Sequence, residues 1–258
     1  MKLTGKAALI TGGGVGAGRA IALALARAGC HVALNYSKSA EGAADTAREA
    51  QALGVRALAV QADVRSDTDV RRMVEESVAV LGRLDVLVNN AGVTRIIDHA
   101  DLEAVSDEAW DFIFDTNVRG TFYTTRAAVP ALRADGGGVI VNISSIAGVY
   151  ATGSSIPYCA SKAAINNMTV TLARALAPEI RVNAVAPGFI DTGWWSGLPD
   201  PQALKQLAVA AAPLKKVCEP EDVADAVLGL VASDLVTGQI LVVDGGTGIS
   251  SALPRIKR

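Results

Sequence analysis

Thr11-Gly12-Gly13-Gly14-Val15-Gly16-Ala17-Gly18 is the stretch that decides the fold. It follows the short apolar run Ala7 to Thr11 and opens directly into the Ala-rich segment Gly16 to Ala28, which reads as a helix. Strand, glycines and helix thus arrive in the order of a phosphate-binding turn. Glycine lets the backbone bend sharply and come close to a pyrophosphate, and the N–H groups at the helix start face that charge. A tight turn without a ligand is the plainer reading, and the order of the three parts argues against it. Gly12, Gly14 and Ala17 can be set on G-x-G-x-x-A, but Thr-Gly-x-x-x-Gly-x-Gly fits the stretch better.

Six further apolar runs follow: His31 to Tyr36, Arg56 to Gln61, Leu84 to Asn89, Val139 to Ile143, Ile180 to Val185 and Ile240 to Val243. Helix-like stretches separate them, at Ala40 to Leu53, Thr68 to Leu81, Asp107 to Leu132, Pro157 to Leu176 and Pro220 to Val231. Continuous apolar strands alternating with helices predict a parallel sheet buried on both faces, because right-handed crossovers lay the helices there. The expected fold is α/β, a doubly wound Rossmann-type arrangement with one seven-stranded sheet. No repeat or low-complexity linker divides the chain, so 1–258 is read as one domain. Asp191 to Pro201, rich in Gly and Pro with two tryptophans, is the long irregular segment and reads as a mobile lid, part of a substrate segment at about 189–215.

Half of the 258 residues are hydrophobic and 19% are charged, enough for a large core. A net charge of −2 with scattered Arg and Lys offers no basic face, which argues against nucleic acid as a partner. Cys30, Cys159 and Cys218 lack any CxxC spacing and read as free thiols of a reducing compartment, with no metal site. Met1 to Ile10 has no signal-peptide core, and no run of about 18 apolar residues could span a bilayer. The expectation is a cytoplasmic protein without a membrane partner.

Chemistry concentrates in the second half. Tyr158-Cys159-Ala160-Ser161-Lys162 sets a phenol and an ammonium four residues apart on one helical face. A phenol of ordinary pKa about 10 is a poor acid or base at neutral pH, and an adjacent cation is expected to lower that value. Val141-Asn142-Ile143-Ser144-Ser145 ends a strand with two hydroxyls, either of which could orient a carbonyl oxygen. Alone, Tyr-x-x-x-Lys is common on ordinary amphipathic helices. His31 and His99 have no partner pattern and read as structural, and Cys159 points about 100° away from Tyr158 on the helix.

Taken with the glycine variant, these motifs resemble the short-chain dehydrogenase/reductase family over nearly the whole chain, with likeness to its 3-oxoacyl-acyl-carrier-protein reductase branch. The resemblance implies a nicotinamide-dependent oxidoreductase. It selects Ser145 by the thirteen-residue step to Tyr158, adds Asn117 as the residue that holds a water behind Lys162, and so gives a tetrad of Asn117, Ser145, Tyr158 and Lys162. In it Lys162 also bonds the nicotinamide ribose. Asp63-Val64 resembles the adenine-contacting pair, Asn89-Asn90-Ala91-Gly92 the element after the fourth strand, and Pro187-Gly188-Phe189-Ile190-Asp191-Thr192 the segment whose Ile backbone and Thr hydroxyl hold the carboxamide. The cofactor set is then Gly12, Gly14, Val15, Gly16, Asn35, Ser37, Lys38, Asp63, Val64, Asn90, Ala91, Gly92, Tyr158, Lys162, Pro187, Gly188, Ile190 and Thr192.

Cofactor choice turns on Asn35-Tyr36-Ser37-Lys38-Ser39, where the acidic residue that bonds a ribose 2′-hydroxyl in NAD enzymes is missing. Ser37 and Lys38 could receive a 2′-phosphate, so NADP(H) is expected, with NAD(H) the alternative because Val15 stands where many NADP-dependent members carry a basic residue. Ile96, Val149, Phe189, Trp194 and Trp195 would line an apolar pocket, which suits a small ketone or secondary alcohol with a ring or aryl group. Trp194 and Trp195 read equally as a cover for the substrate or as an anchor for the lid. Reductases of carrier-bound acyl groups tend to present arginines where this chain has Asp135-Gly136-Gly137-Gly138 and Ala177-Pro178-Glu179, so 3-oxoacyl-acyl-carrier-protein reduction is the alternative. A nucleotide-sensing scaffold is the rival from another class. The family also implies a homotetramer.

Overall fold

The computed structural model describes residues 1–134, 136–196 and 199–249. Seven parallel strands form one sheet: β1 Ala7–Ile10, β2 His31–Tyr36, β3 Ala57–Gln61, β4 Val86–Asn89, β5 Gly138–Ile143, β6 Ile180–Pro187 and β7 Ile240–Val243. Their order, β3-β2-β1-β4-β5-β6-β7, reverses direction between β1 and β4. At such a reversal the two flanking crossovers leave in opposite directions and open a crevice at the carboxyl ends of the strands. The glycine stretch and Asn90-Ala91-Gly92 sit on its two sides.

The helices are α1 Gly16–Arg27, α2 Ala40–Ala52, α3 Asp67–Leu81, α4 Asp107–Phe114, α5 Gly120–Ala134, α6 Ala147–Tyr150, α7 Ile156–Leu176, α8 Pro201–Ala211 and α9 Pro220–Ala232. α1, α2 and α9 pack on one face of the sheet against Ile10, Leu34, Val88 and Val141. α3, α5 and α7 cover the other against Leu9, Leu87, Ile140 and Val182. Both faces are therefore dry, which is why the strands read as unbroken apolar runs.

The expected single helix from Asp107 to Leu132 is not one helix. A π-turn at Asp115–Arg119 separates α4 from α5. The wider turn inserts one residue, a change too small to disturb an apolar period over so long a stretch. Its cause is tertiary: Gly120 approaches Val64 so closely that a Cβ would lie 2.8 Å from Val64 Cγ2, and Asn117 turns inward. In the segment expected as a lid, Gly193–Trp195 forms a single 3-10 turn, and Asp200 caps α8 by accepting from Ala203 N at 2.8 Å. Gly197 and Leu198 of that stretch, like Asp135, lie outside the described residues. No helix among the described residues is long and apolar enough to cross a membrane.

Candidate active site

The crevice is held shut at its base by hydrogen bonds between the ends of β1 and β4. Thr11 Oγ1 accepts from Asn90 N and Ala91 N, both at 2.9 Å, and Asn90 Nδ2 donates to Thr11 O at 2.9 Å and to Gly12 O at 3.1 Å. Thr11 was missed as a site residue by sequence reasoning. Its signal was present, as the first residue of the glycine motif, but a hydroxyl that bridges two strands distant in sequence cannot be recognised without their pairing. Asn35, expected to touch the cofactor, is 2% exposed and faces protein instead. Its Oδ1 accepts from Gly12 N at 3.3 Å while Nδ2 donates to Ala62 O at 3.0 Å, so the buried amide satisfies backbone and fixes the turn.

The glycines do what a dinucleotide site requires. At Gly18 a Cβ would stand 2.1 Å from Gly12 O, and at Gly14 one would stand 2.8 Å from Ala43 N, so the turn folds against α1 and α2 only with bare Cα atoms. Gly12 and Gly16 hold φ of +63° and +52°, the left-handed region. The open side of Gly16 faces Thr192, whose Cγ2 would lie 3.4 Å from an added Cβ, which brings the Pro187-to-Thr192 segment over the turn. Val15, Ser37 and Lys38 are exposed around this rim, and Gln61 Nε2 donates to Ser37 O at 3.2 Å. Asp63 lies next to them, its carboxylate gripped by Arg65 Nε and Nη2, and this pairing holds the carboxyl below its ordinary pKa.

The four chemistry-bearing residues come from α7, the end of β5 and the π-turn. Ser155 caps α7, accepting from Tyr158 N at 3.3 Å, and sets the phase of the helix so that Tyr158 and Lys162 face the crevice together. Lys162 is 4% exposed, and its ammonium donates to Ile143 O at 2.9 Å and stands 5.6 Å from the Tyr158 ring centroid. The Tyr158 hydroxyl is hydrogen-bonded to Ser145, whose Oγ also accepts from Ala147 N at 3.1 Å. Ser144 is turned away: its hydroxyl donates to Lys162 O at 3.2 Å and ties β5 to α7. Of the two adjacent serines only Ser145 meets the tyrosine.

Asn117 is buried, and its amide closes a ring with Val93, accepting from Val93 N at 2.8 Å and donating to Val93 O at 3.0 Å. Nδ2 also donates to Ser161 Oγ at 3.1 Å. The side chain expected to hold a water is thus committed to the β4 exit and to α7, and it touches the lysine's helix rather than the lysine. Gly92 completes the floor, since a Cβ there would lie 3.4 Å from Asn117 Oδ1 and 3.7 Å from Lys162 Nζ.

The protein's own groups hold both side chains toward their neutral forms. Burial pushes the Tyr158 phenol up to about 12, the Ser145 hydrogen bond opposing it, and burial lowers the Lys162 ammonium to about 8. At Tyr158 desolvation outweighs the Ser145 hydrogen bond, and at Lys162 desolvation is the cause of the shift.

On the substrate side Ile96, Val149 and Trp194 are 55%, 42% and 44% exposed. The two tryptophans part company. Trp195 stacks on Phe189, with centroids 5.1 Å apart and an interplanar angle of 8°, and donates from Nε1 to Ile190 O at 3.1 Å. It is an anchor. Phe189 O and Asp191 N are both bonded to the backbone of Cys218, and Lys205 pairs with Asp191, so this half of the expected mobile lid is stapled down. His31 lies at the opposite end of the sheet, where Nδ1 accepts from Arg56 N at 3.0 Å. No cluster of three His, Cys, Asp or Glu side chains is placed to hold a metal among the described residues.

Comparison with known proteins agrees with this geometry. Residues 13–248 match the family model described as enoyl-(acyl carrier protein) reductase. Over 239 residues the chain is 47% identical to a Streptomyces violaceoruber protein named as ketoacyl reductase 2 of the granaticin polyketide synthase, covering 93% of this chain and 94% of the relative. It is 41% identical over 250 residues to the 3-oxoacyl-[acyl-carrier-protein] reductase of Staphylococcus aureus, covering 95% of this chain and 99% of the relative. A Burkholderia xenovorans crystal structure described as a short-chain dehydrogenase/reductase superposes with a TM-score of 0.89 at 36% identity, over 95% of this chain and 98% of that one.

Proposed function

The chain belongs to the short-chain dehydrogenase/reductase family of oxidoreductases, and from that premise we propose that it is an NADP(H)-preferring enzyme which reduces a ketone, or oxidises the matching secondary alcohol, of a small apolar, cyclic or aryl substrate. The observation that carries the proposal is the hydrogen-bonded meeting of Tyr158 and Ser145 beside a buried Lys162. Bound in the crevice, the nicotinamide supplies the hydride. Ser145 orients the carbonyl oxygen and Tyr158 protonates it, a task its raised pKa suits because the phenol keeps its proton at neutral pH. Lys162, released from Ile143 O, holds the ribose and favours the phenolate left behind. Asn117 is a positioning residue that keeps Val93 and Ser161 in register with the lysine's helix.

Preference for NADP(H) is supported by exposed Ser37 and Lys38 at the end of β2, with no carboxylate in the stretch from Asn35 to Ser39. NAD(H) is the alternative. The proposal includes a single domain in which 189–215 covers the substrate, a cytoplasmic location and a homotetramer. Exposed Phe122 on α5 and Leu241 on β7 give such an assembly apolar surface.

A second reading is favoured by the names of the relatives: reduction of a 3-oxoacyl group carried as a thioester. One experiment separates the readings. Purified wild type and Tyr158→Phe are assayed with cyclic ketones, aryl ketones and acyl-thioester ketones, using NADPH and NADH, by cofactor absorbance. Wild type should turn over aryl or cyclic ketones with higher kcat/KM for NADPH. Tyr158→Phe should lose about 10²-fold or more in kcat while still binding NADPH. Thioesters as the only good substrates would establish the second reading, and no turnover with any ketone would leave the nucleotide-sensing scaffold.

A further inference from the structure

Between the exit of β4 and the start of α4 lies an open cleft of about 340 Å3, beyond the groups that handle the carbonyl. Ile96, Ile97, Ala104 and Ala109 give it an apolar wall. Arg95, Ser106 and Glu108 supply its polar groups. Arg95 Cζ stands 4.6 Å over the centroid of the Phe112 ring, a cation–π contact. Among the described residues the Arg95 side chain makes no ion pair and no hydrogen bond. Glu108 does not neutralise it. That carboxylate accepts from the Ser106 hydroxyl and from its own backbone N–H, bonds that satisfy the start of α4 and hold its pKa down.

The cleft is joined to the reaction site. Ile97 N donates to Ser154 O at 2.8 Å, and the hydroxyls of Thr94 and Ser154 are hydrogen-bonded. Ser154 precedes the residue that caps the helix of Tyr158. The backbone that carries Arg95 is thereby fixed to the start of the catalytic helix, and Ile96, which lines this cleft, is also one of the residues expected on the apolar side of the substrate pocket.

We infer that this cleft is a second subsite for the same substrate, in which Arg95 receives an anionic oxygen group, a carboxylate or a phosphate, at the far end of a molecule whose apolar part lies along Ile96 and Ile97. The inference rests on the reading that Tyr158 reduces a ketone. A guanidinium offers a planar fork of N–H donors that matches carboxylate and phosphate oxygens, and one already stacked on a ring loses little freedom when it binds them. The apolar wall alone would accept a neutral chain. Arg95 adds selection for a charged one.

Two substrate pairs test it, each sharing its reacting ketone: 4-acetylbenzoate against its methyl ester, and acetoacetyl-coenzyme A against acetoacetyl-N-acetylcysteamine. The ratio of kcat/KM, anionic over neutral, is measured in wild type, Arg95→Gln and Arg95→Lys. In at least one pair the ratio should fall about tenfold in Arg95→Gln, through KM, and be partly restored in Arg95→Lys. The pair that responds says whether carboxylate or phosphate is the recognised group. A ratio unchanged by Arg95→Gln in both pairs overturns the inference. Binding of 4-acetylbenzoate is also followed by tryptophan fluorescence, which does not depend on turnover. Arg95-dependent binding without reduction of any ketone would remove the proposed function and keep the subsite. Reduction with no anion preference would do the opposite.

Discussion

Burial drives Tyr158 and Lys162 toward their neutral forms, the phenol to about 12 and the ammonium to about 8. For Lys162 this is also a statement about stability. Its ordinary value is 10.5, so between pH 8 and 10.5 the unfolded chain binds more protons at this residue than the folded chain. Unfolding free energy therefore rises with pH across that window, and below it the full cost of a buried charge is borne. Lys162→Met removes the cost. The variant's stability relative to wild type should shrink by about 3 kcal/mol between pH 8 and pH 10.5, read from urea unfolding at stepped pH. A difference independent of pH would mean that Lys162 titrates normally. The sequence made the pair legible through its spacing. It could not give the direction of the shifts, because desolvation belongs to the packed site and not to the helix.

At the scale of elements, the reaction geometry depends on how closely α6 lies on α7. A Cβ on Gly148 would stand 2.4 Å from Lys162 C and 2.7 Å from Ala163 N, so α6 touches the backbone of the catalytic helix directly. Asn166 Nδ2 locks the contact by donating to Gly148 O at 3.0 Å. Gly148→Ala must lift α6 and carry Ser145 away from Tyr158. It should cost about 1–3 kcal/mol in stability, by urea unfolding, and lower kcat while NADPH affinity is kept. Wild-type kcat in this variant would show that Ser145 is positioned by β5 alone. Neither α6, four residues long, nor the π-turn that presents Asn117 was visible in the pattern of apolar residues. Both are too short to leave a period, and both are imposed by contacts with distant elements.

For the whole molecule, the end of the sheet remote from the crevice is pinned by Asp85. This fully buried carboxylate accepts from Ala7 N at 2.9 Å and pairs with Lys6 at 2.9 Å and Arg83 at 2.6 Å. Burial works against its charge, and the hydrogen bonds of Arg83, Lys6 and Ala7 overcome it and depress the pKa. The stability it contributes is present above the ordinary carboxylate range and is lost as pH falls through the depressed value. Asp85→Asn removes the buried charge with which Lys6 and Arg83 pair and should lower unfolding free energy by about 3–5 kcal/mol at pH 7, measured in urea. A loss below about 1 kcal/mol would class the cluster with exposed ion pairs. The site is at the other end, so cofactor affinity of the folded variant should be kept.

The sequence by itself determined the class of fold, the seven strands, the glycine turn and the residue types of the catalytic group. Those rest on local period and on fixed spacings that survive in one dimension. Only the tertiary structure decided that the crevice lies between β1 and β4, that the Thr11 hydroxyl bridges those two strands, and that Trp195 anchors while Trp194 is exposed. Each depends on partners far away in sequence, and a hydrogen bond or a buried face has no local signature until the chain has closed on itself.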